Sequence, residues 1–198
     1  CASRERTADG TGSSFGTAFV NQLLKKRLFS SPAAFASTLE KHISTLSGGV
    51  QRKEKDSMAE RILRKAILRI DEDYAKDQEV ENAQAEAVEE ASRRGQPLTP
   101  EQQRALDELR QWAQRAKNQV DSKAQAIIDW VEANLKTNGQ WNDRRVILFT
   151  EYRTTHQWMH EILVSHGFGG ERLAILHGGL DMKDREEIKA AFQTSPKD

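Results

Sequence analysis

The sequence predicts a mostly α-helical chain that closes on a partial α/β unit with two short parallel strands. Three observations carry that expectation. Apolar residues recur at helical spacing through most of the first 140 positions, with few breakers. Two four-residue apolar runs, Val146–Phe149 and Leu173–Leu176, flank a helical crossover, the pattern of parallel pairing inside an α/β layer. Polar residues at Thr150–Arg153 and a His177-Gly178-Gly179 turn follow directly on those runs, where open α/β sheets bind their ligands.

Composition narrows the function classes. The 198 residues suffice for one or two domains, and 30% charged against 37% apolar suits long helices with wet faces. Thirty basic and thirty acidic residues cancel, so any attraction to nucleic acid has to come from local patches. A single cysteine, at position 1, excludes an internal disulfide and a thiolate zinc site, as expected for a cytoplasmic protein. No apolar run approaches the about 20 residues that span a bilayer. CASRERTADGTGSS has no signal-peptide core, and with no initiating Met and an end straight after a helix, the chain reads as a piece of a longer protein.

Residues 1–14 are small and polar and are expected to be disordered. Ser13 or Ser14 is expected to cap a helix to about Phe29, with Phe19, Leu23, Leu24 and Leu28 on its apolar side. Ser30-Ser31-Pro32 reads as a cap followed by proline at the first helical position, starting a second helix that stops at Gly48-Gly49. From Asp56 to Arg94 a seam of Leu63, Ile67, Ile70 and Tyr74 thins into Val80, Ala83, Ala87 and Ala91. Gly95-Gln96-Pro97 breaks it, and Thr99 with Gln102 signals a capping box before a second seam of Leu106, Leu109, Ala113, Ala116 and Val120. The two seams predict an antiparallel hairpin projecting over about 56–120. Asp121-Ser122 is expected to cap one more helix, through Ile127, Ile128, Val131 and Leu135, ending near Asn138-Gly139. In the closing unit, Trp158, Ile162 and Leu163 mark the crossover helix, and Ile188, Ala191 and Phe192 the last one.

That closing unit resembles a known family. RVILFTEYRTT followed by LAILHGGLDMKDREEIKAAF is similar to the first half of the second RecA-like lobe of superfamily 2 helicases and Snf-type DNA translocases. The first piece corresponds to motif IV and the second to the HGG…R element. LLKKRLFSSPAAF (Leu23–Phe35) and DSKAQAIIDWV (Asp121–Val131) resemble segments ahead of motif IV in bacterial helicase-related proteins of the RNA-polymerase-recycling and phage-defence (DISARM-like) type. The resemblance covers the last third of the chain and those two outposts, and is silent between them. It implies a helical inter-lobe insertion over 15–140 and the N-terminal part of the second RecA-like lobe over 141–198.

The resemblance also implies a role for the polar ends of the strands. Thr150, Tyr152, Arg153 and Thr154 would hold a nucleic-acid backbone at the N-terminus of the crossover helix, where free N–H groups and the helix dipole favour phosphate. His177, Gly178 and Gly179 would let backbone approach the ligand, and Arg185 stands where related DEAD-box helicases place an arginine on the phosphates. Met182 occupies the position of a family glutamine, a departure that bears on that contact and leaves the arginine's standing. The bland alternatives are a Thr150 or Glu151 helix cap and an Arg185–Asp181 surface pair.

Other patterns are weaker. Ile70-Asp71-Glu72-Asp73 imitates a Walker B strand but keeps helical spacing, and no G-x-x-x-x-G-K-[ST] loop exists. His156 and His160 stand one turn apart, yet the general-base position is Gln157 and no third ligand is evident. Lys25-Lys26-Arg27 and Arg52-Lys53-Lys55 read as solvated faces that can touch phosphate. The four tryptophans read as packing anchors.

The expectation is a catalytically silent fragment that needs no cofactor itself, from an intact protein using ATP and magnesium to move on double-stranded DNA. Alternatives are a helical protein–protein interaction module acting through the 56–120 hairpin, and, least favoured, a complete small enzyme, since no nucleophile–base set is evident. Two parallel strands alone have open edges, so a loose C-terminal unit or a homo-oligomer formed by strand exchange is also expected. No membrane association is expected.

Overall fold

A one-residue corner at Ser31 separates the first two helices, α1 (Ala8–Ser30) and α2 (Pro32–Ser47). Ser31 Oγ accepts the Ala34 N–H at 3.1 Å, and the Phe35 N–H bonds back to the Ser31 carbonyl. Pro32 loses nothing at the first helical position, where its missing N–H would have no partner. The computed structural model of the chain describes residues 8–47, 84, 87–89, 91–92 and 98–194. Those residues are mostly helical and fall into two compact units, Cys1–Asn118 and Gln119–Asp198.

In the first unit α1 begins at Ala8, ahead of the expected serine cap and inside the stretch expected to be disordered. Its Val20 is buried against Ala87 and Ala91, both helical, with Phe19 and Leu24 packed at the margin. α2 presents Phe35, Ala36, Leu39 and Ile43 to Leu106 and Ala113 of α3 (Pro100–Ala116). The capping box at the start of α3 forms as expected: Gln102 N–H donates to Thr99 Oγ1, and Thr99 N–H to Gln102 Oε1. Arg110 forks onto both oxygens of Glu40, fixing α3 along α2. Of the two seams expected to form a projecting hairpin, Ala87 and Ala91 pack on α1, and Leu106 and Ala113 on α2. The seam at Leu63–Tyr74, the acidic Ile70–Asp73 run and Arg52-Lys53-Lys55 lie outside the described residues.

In the second unit Asp121 caps α4 (Ser122–Leu135), accepting the Ala124 N–H at 2.7 Å. α4 buries Ala124, Ile128, Val131 and Leu135. It ends at Leu135 rather than near Asn138-Gly139, and an antiparallel ribbon follows: β1 (Lys136–Thr137) and β2 (Gln140–Trp141), with Lys136 opposite Trp141. The turn places Asn138 at φ 54° and Gly139 at φ 76°, the backbone of a two-residue hairpin that matches strand twist. Asn142 then ties the ribbon down: its N–H reaches the Leu135 carbonyl and its side-chain amide the Asn134 carbonyl.

The crossover helix α5 (Arg153–Ser165) buries Thr155, Trp158, Met159 and Leu163. It closes on Gly167 at φ 82°, with Gly167 N–H bonded to the Val164 carbonyl and Phe168 N–H to the Leu163 carbonyl. This pair of bonds satisfies the last carbonyls of the helix and drops Phe168 into the interior. There its ring meets Trp141 edge-on at 5.9 Å. Lys136 Nζ lies about 5 Å from both ring centroids, 5.0 Å for Trp141 and 4.9 Å for Phe168, and Arg172 covers Trp141. After a 3₁₀ turn at Gly170–Arg172, residues 173–177 lead to a tight turn at His177–Leu180 and then to α6 (Met182–Gln193).

The two expected parallel strands are not seen. Residues 146–149 and 173–176 belong to no strand, and the ribbon β1–β2 is the whole sheet among the described residues. Ile147 is 58% exposed and Phe149 90%, and α6 has no buried residue, so Ile188, Ala191 and Phe192 do not form a buried face. Two four-residue parallel segments bury too little to offset their ordering, and parallel pairing gains stability only when helices and further strands cover both faces.

Candidate nucleic-acid interface

The polar ends of the two extended segments come together within the second unit. Arg153 opens α5, and its Nη1 lies 4.0 Å from where a Cβ on Gly179 would stand. From the other side Arg185, on the first turns of α6, donates from Nη2 to the Gly178 carbonyl at 3.2 Å. Two guanidinium groups therefore border one Gly-Gly turn.

The turn is shaped from within as well. Gly179 N–H donates to His177 Nδ1 at 3.0 Å, which fixes the proton of a neutral imidazole on Nε2. A Cβ at Gly179 would lie 3.3 Å from that same Nδ1, a tight contact that a larger residue would make only if the His177 ring shifted. Leu180 N–H closes the bend on the His177 carbonyl.

The two helix starts differ in what they offer an anion. At α6, Asp181 caps with its own carboxylate, accepting the Asp184 N–H at 2.8 Å, so that end already holds a negative charge. Asp181 is thus a cap and not the surface partner of Arg185. At α5 the cap position is Tyr152, whose side chain makes no capping bond, and the first turn holds Arg153 and no acid. The dipole and the arginine act there with the same sign. The bland reading of Thr150 or Glu151 as the cap is not what the structure shows; Thr150 Oγ1 leans on the Tyr152 carbonyl at 3.5 Å.

The eight expected site residues divide accordingly. Arg153, His177, Gly178, Gly179 and Arg185 are gathered at one turn. Thr150 is exposed and Thr154 half-buried at the same helix start. Tyr152 is only 2% exposed, so its ring belongs to the interior. Met182, in the family glutamine's place, points into solvent.

The weaker patterns resolve too. Arg27, read as part of a solvated basic run, is 5% exposed and gives Nη2 to Gln84 Oε1 at 2.6 Å. Lys25 and Lys26 are exposed. Trp158 is buried, Trp112 meets Phe35 edge-on, and Trp141 anchors the aromatic cluster, whereas Trp130 is half-exposed. Among the described residues no group of three His, Cys, Asp or Glu side chains could hold a metal ion. No helix among them is long and apolar enough to cross a membrane. The anchoring of Arg185 on Gly178 and the His177–Gly179 bond were not legible in the sequence, since both need the turn's geometry. No protein-family model, curated protein or solved structure matches the chain.

Proposed function

We propose that the second unit grips the sugar–phosphate backbone of nucleic acid, with Arg153, Thr154 and the His177–Gly179 turn facing the phosphates and Arg185 completing the site. The observation that carries this reading is the convergence of Arg153 and Arg185 on one glycine turn at the ends of two extended segments. Cationic side chains beside a helix start are what a phosphodiester requires. In this reading residues 146–149 and 173–176 are strands of a RecA-like sheet that needs further strands to pair. The chain is then a non-catalytic fragment of a Snf-type translocase, whose intact form would spend ATP with magnesium on double-stranded DNA in the cytoplasm.

Titration of a fluorescent duplex at low salt is the test. Binding at micromolar protein that weakens steeply with added salt is expected, because phosphate contacts release counterions. No anisotropy change at low salt would remove the proposal, and ATP hydrolysis by this polypeptide would contradict its non-catalytic part. A second reading, a helical module for a protein partner, is favoured by exposed Phe29 and Trp112 in the first unit. Duplex-independent partner binding that survives high salt would support it instead.

A further inference from the structure

We infer that Arg185 is a positioning residue: it shapes the Gly178–Gly179 turn through the Gly178 carbonyl, leaving Arg153 as the guanidinium that meets phosphate. The inference rests on the nucleic-acid reading of this site and assigns its two arginines different work.

The evidence is the orientation of the Arg185 fork. A guanidinium that clamps a phosphate side-on presents its Nε and Nη2 edge to the ligand. In Arg185 that edge is turned inward. Nη2 is bonded to the Gly178 carbonyl at 3.2 Å, and Nε is shut off from solvent with no acceptor. The edge best suited to an anion is thus committed to the protein. Neighbouring charge acts in the same direction: the α6 start carries the Asp181 carboxylate on its own N–H groups, with Asp184 in the first turn. Those acids disfavour a phosphate on the Arg185 side of the turn, while the first turn of α5 has none.

What Arg185 controls is the turn itself. With the Gly178 carbonyl drawn toward α6, the next amide is left to the His177 ring, and Gly179 N–H donates to Nδ1. The peptide plane at Gly178–Gly179 is fixed between the two side chains, and Arg153 lies alongside. Removing Arg185 frees that plane, and the turn beside Arg153 loses its orientation without any ligand contact being deleted.

The test uses the full chain with Arg185→Ala, Arg185→Gln and Arg153→Ala, each checked for helical content. Two quantities are read: exchange of the Gly179 amide proton without ligand, and the salt dependence of binding to a duplex DNA. Both Arg185 variants are expected to speed Gly179 exchange and weaken binding, with the slope of log affinity against log salt kept at the wild-type value. Arg153→Ala is expected to leave the exchange unchanged and reduce that slope by about 0.9, the loss of one phosphate contact. Arg185→Gln provides a gentler neutral substitution if the alanine variant unfolds. The inference is overturned if the Arg185 variants lose the same slope as Arg153→Ala, or if Gly179 exchange ignores them. If the wild type binds no duplex, the nucleic-acid reading fails separately, and the exchange measurement still decides whether Arg185 holds the turn.

Discussion

Arg27 and Gln84 stand 57 positions apart and meet in the interior of the first unit, where Arg27 Nη2 donates to Gln84 Oε1. A buried charged donor that loses this acceptor keeps its desolvation cost, so Gln84→Leu is expected to destabilise the unit by about 2–3 kcal/mol, read by urea denaturation. His42 supplies a second test. Ser92 donates its hydroxyl to the Val88 carbonyl, so its oxygen accepts from His42 Nδ1–H at 2.6 Å. Burial pushes the His42 imidazole below its ordinary value of 6.5. The unfolded chain therefore takes up this proton first. Stability from His42 is complete above about pH 6.5 and falls as the pH drops below it, until the folded-state value is passed. His42→Asn keeps a donor for Ser92 without titrating. Its denaturation midpoint is expected to vary less between pH 7 and pH 5 than the wild type's, read as the difference between the two curves.

At the scale of elements, what was legible was local. Ser31-Pro32, the Thr99–Gln102 box and the Asp121 cap are each decided within four residues, by one side-chain oxygen and one N–H. They form where the sequence places them. Asn138-Gly139 carried a signal too, but a pair that ends a helix and a pair that turns a ribbon share the same preference for positive φ. The deciding bond comes from Asn142, which returns to α4 beyond the turn. Gly139→Ala is expected to cost about 1–2 kcal/mol, because a Cβ at φ 76° is strained although the space around it is open. Thermal melts of the second unit would show it. Strand pairing at 146–149 and 173–176 is not seen, for the opposite reason: pairing depends on partners far away in sequence, and an apolar run states a capacity to be buried without supplying what buries it. The candidate site was half legible, in that residue types and spacing marked the right turn but not the inward faces of Tyr152 and Arg185.

Both units leave large apolar side chains open to water: Phe29 and Trp112 in the first, and Ile147, Phe149, Leu176 and Phe192 in the second. Exposed apolar side chains promote association where they adjoin. Phe149→Ser is accordingly expected to reduce concentration-dependent self-association, followed by sedimentation velocity, with little effect on helix content. An identical concentration dependence in both proteins would separate the exposed segment from any such assembly. The tryptophans offer a way to watch the units apart. Of the four, Trp112 alone lies in the first unit, while Trp130, Trp141 and Trp158 lie in the second. Emission from Trp112→Phe should report only the C-terminal half, and its difference from the parent only the N-terminal half. Trp130 would meet an aqueous quencher first and Trp158 last. The chain thus carries its own optical probes, and a single unfolding titration can reveal whether the halves melt together or in sequence.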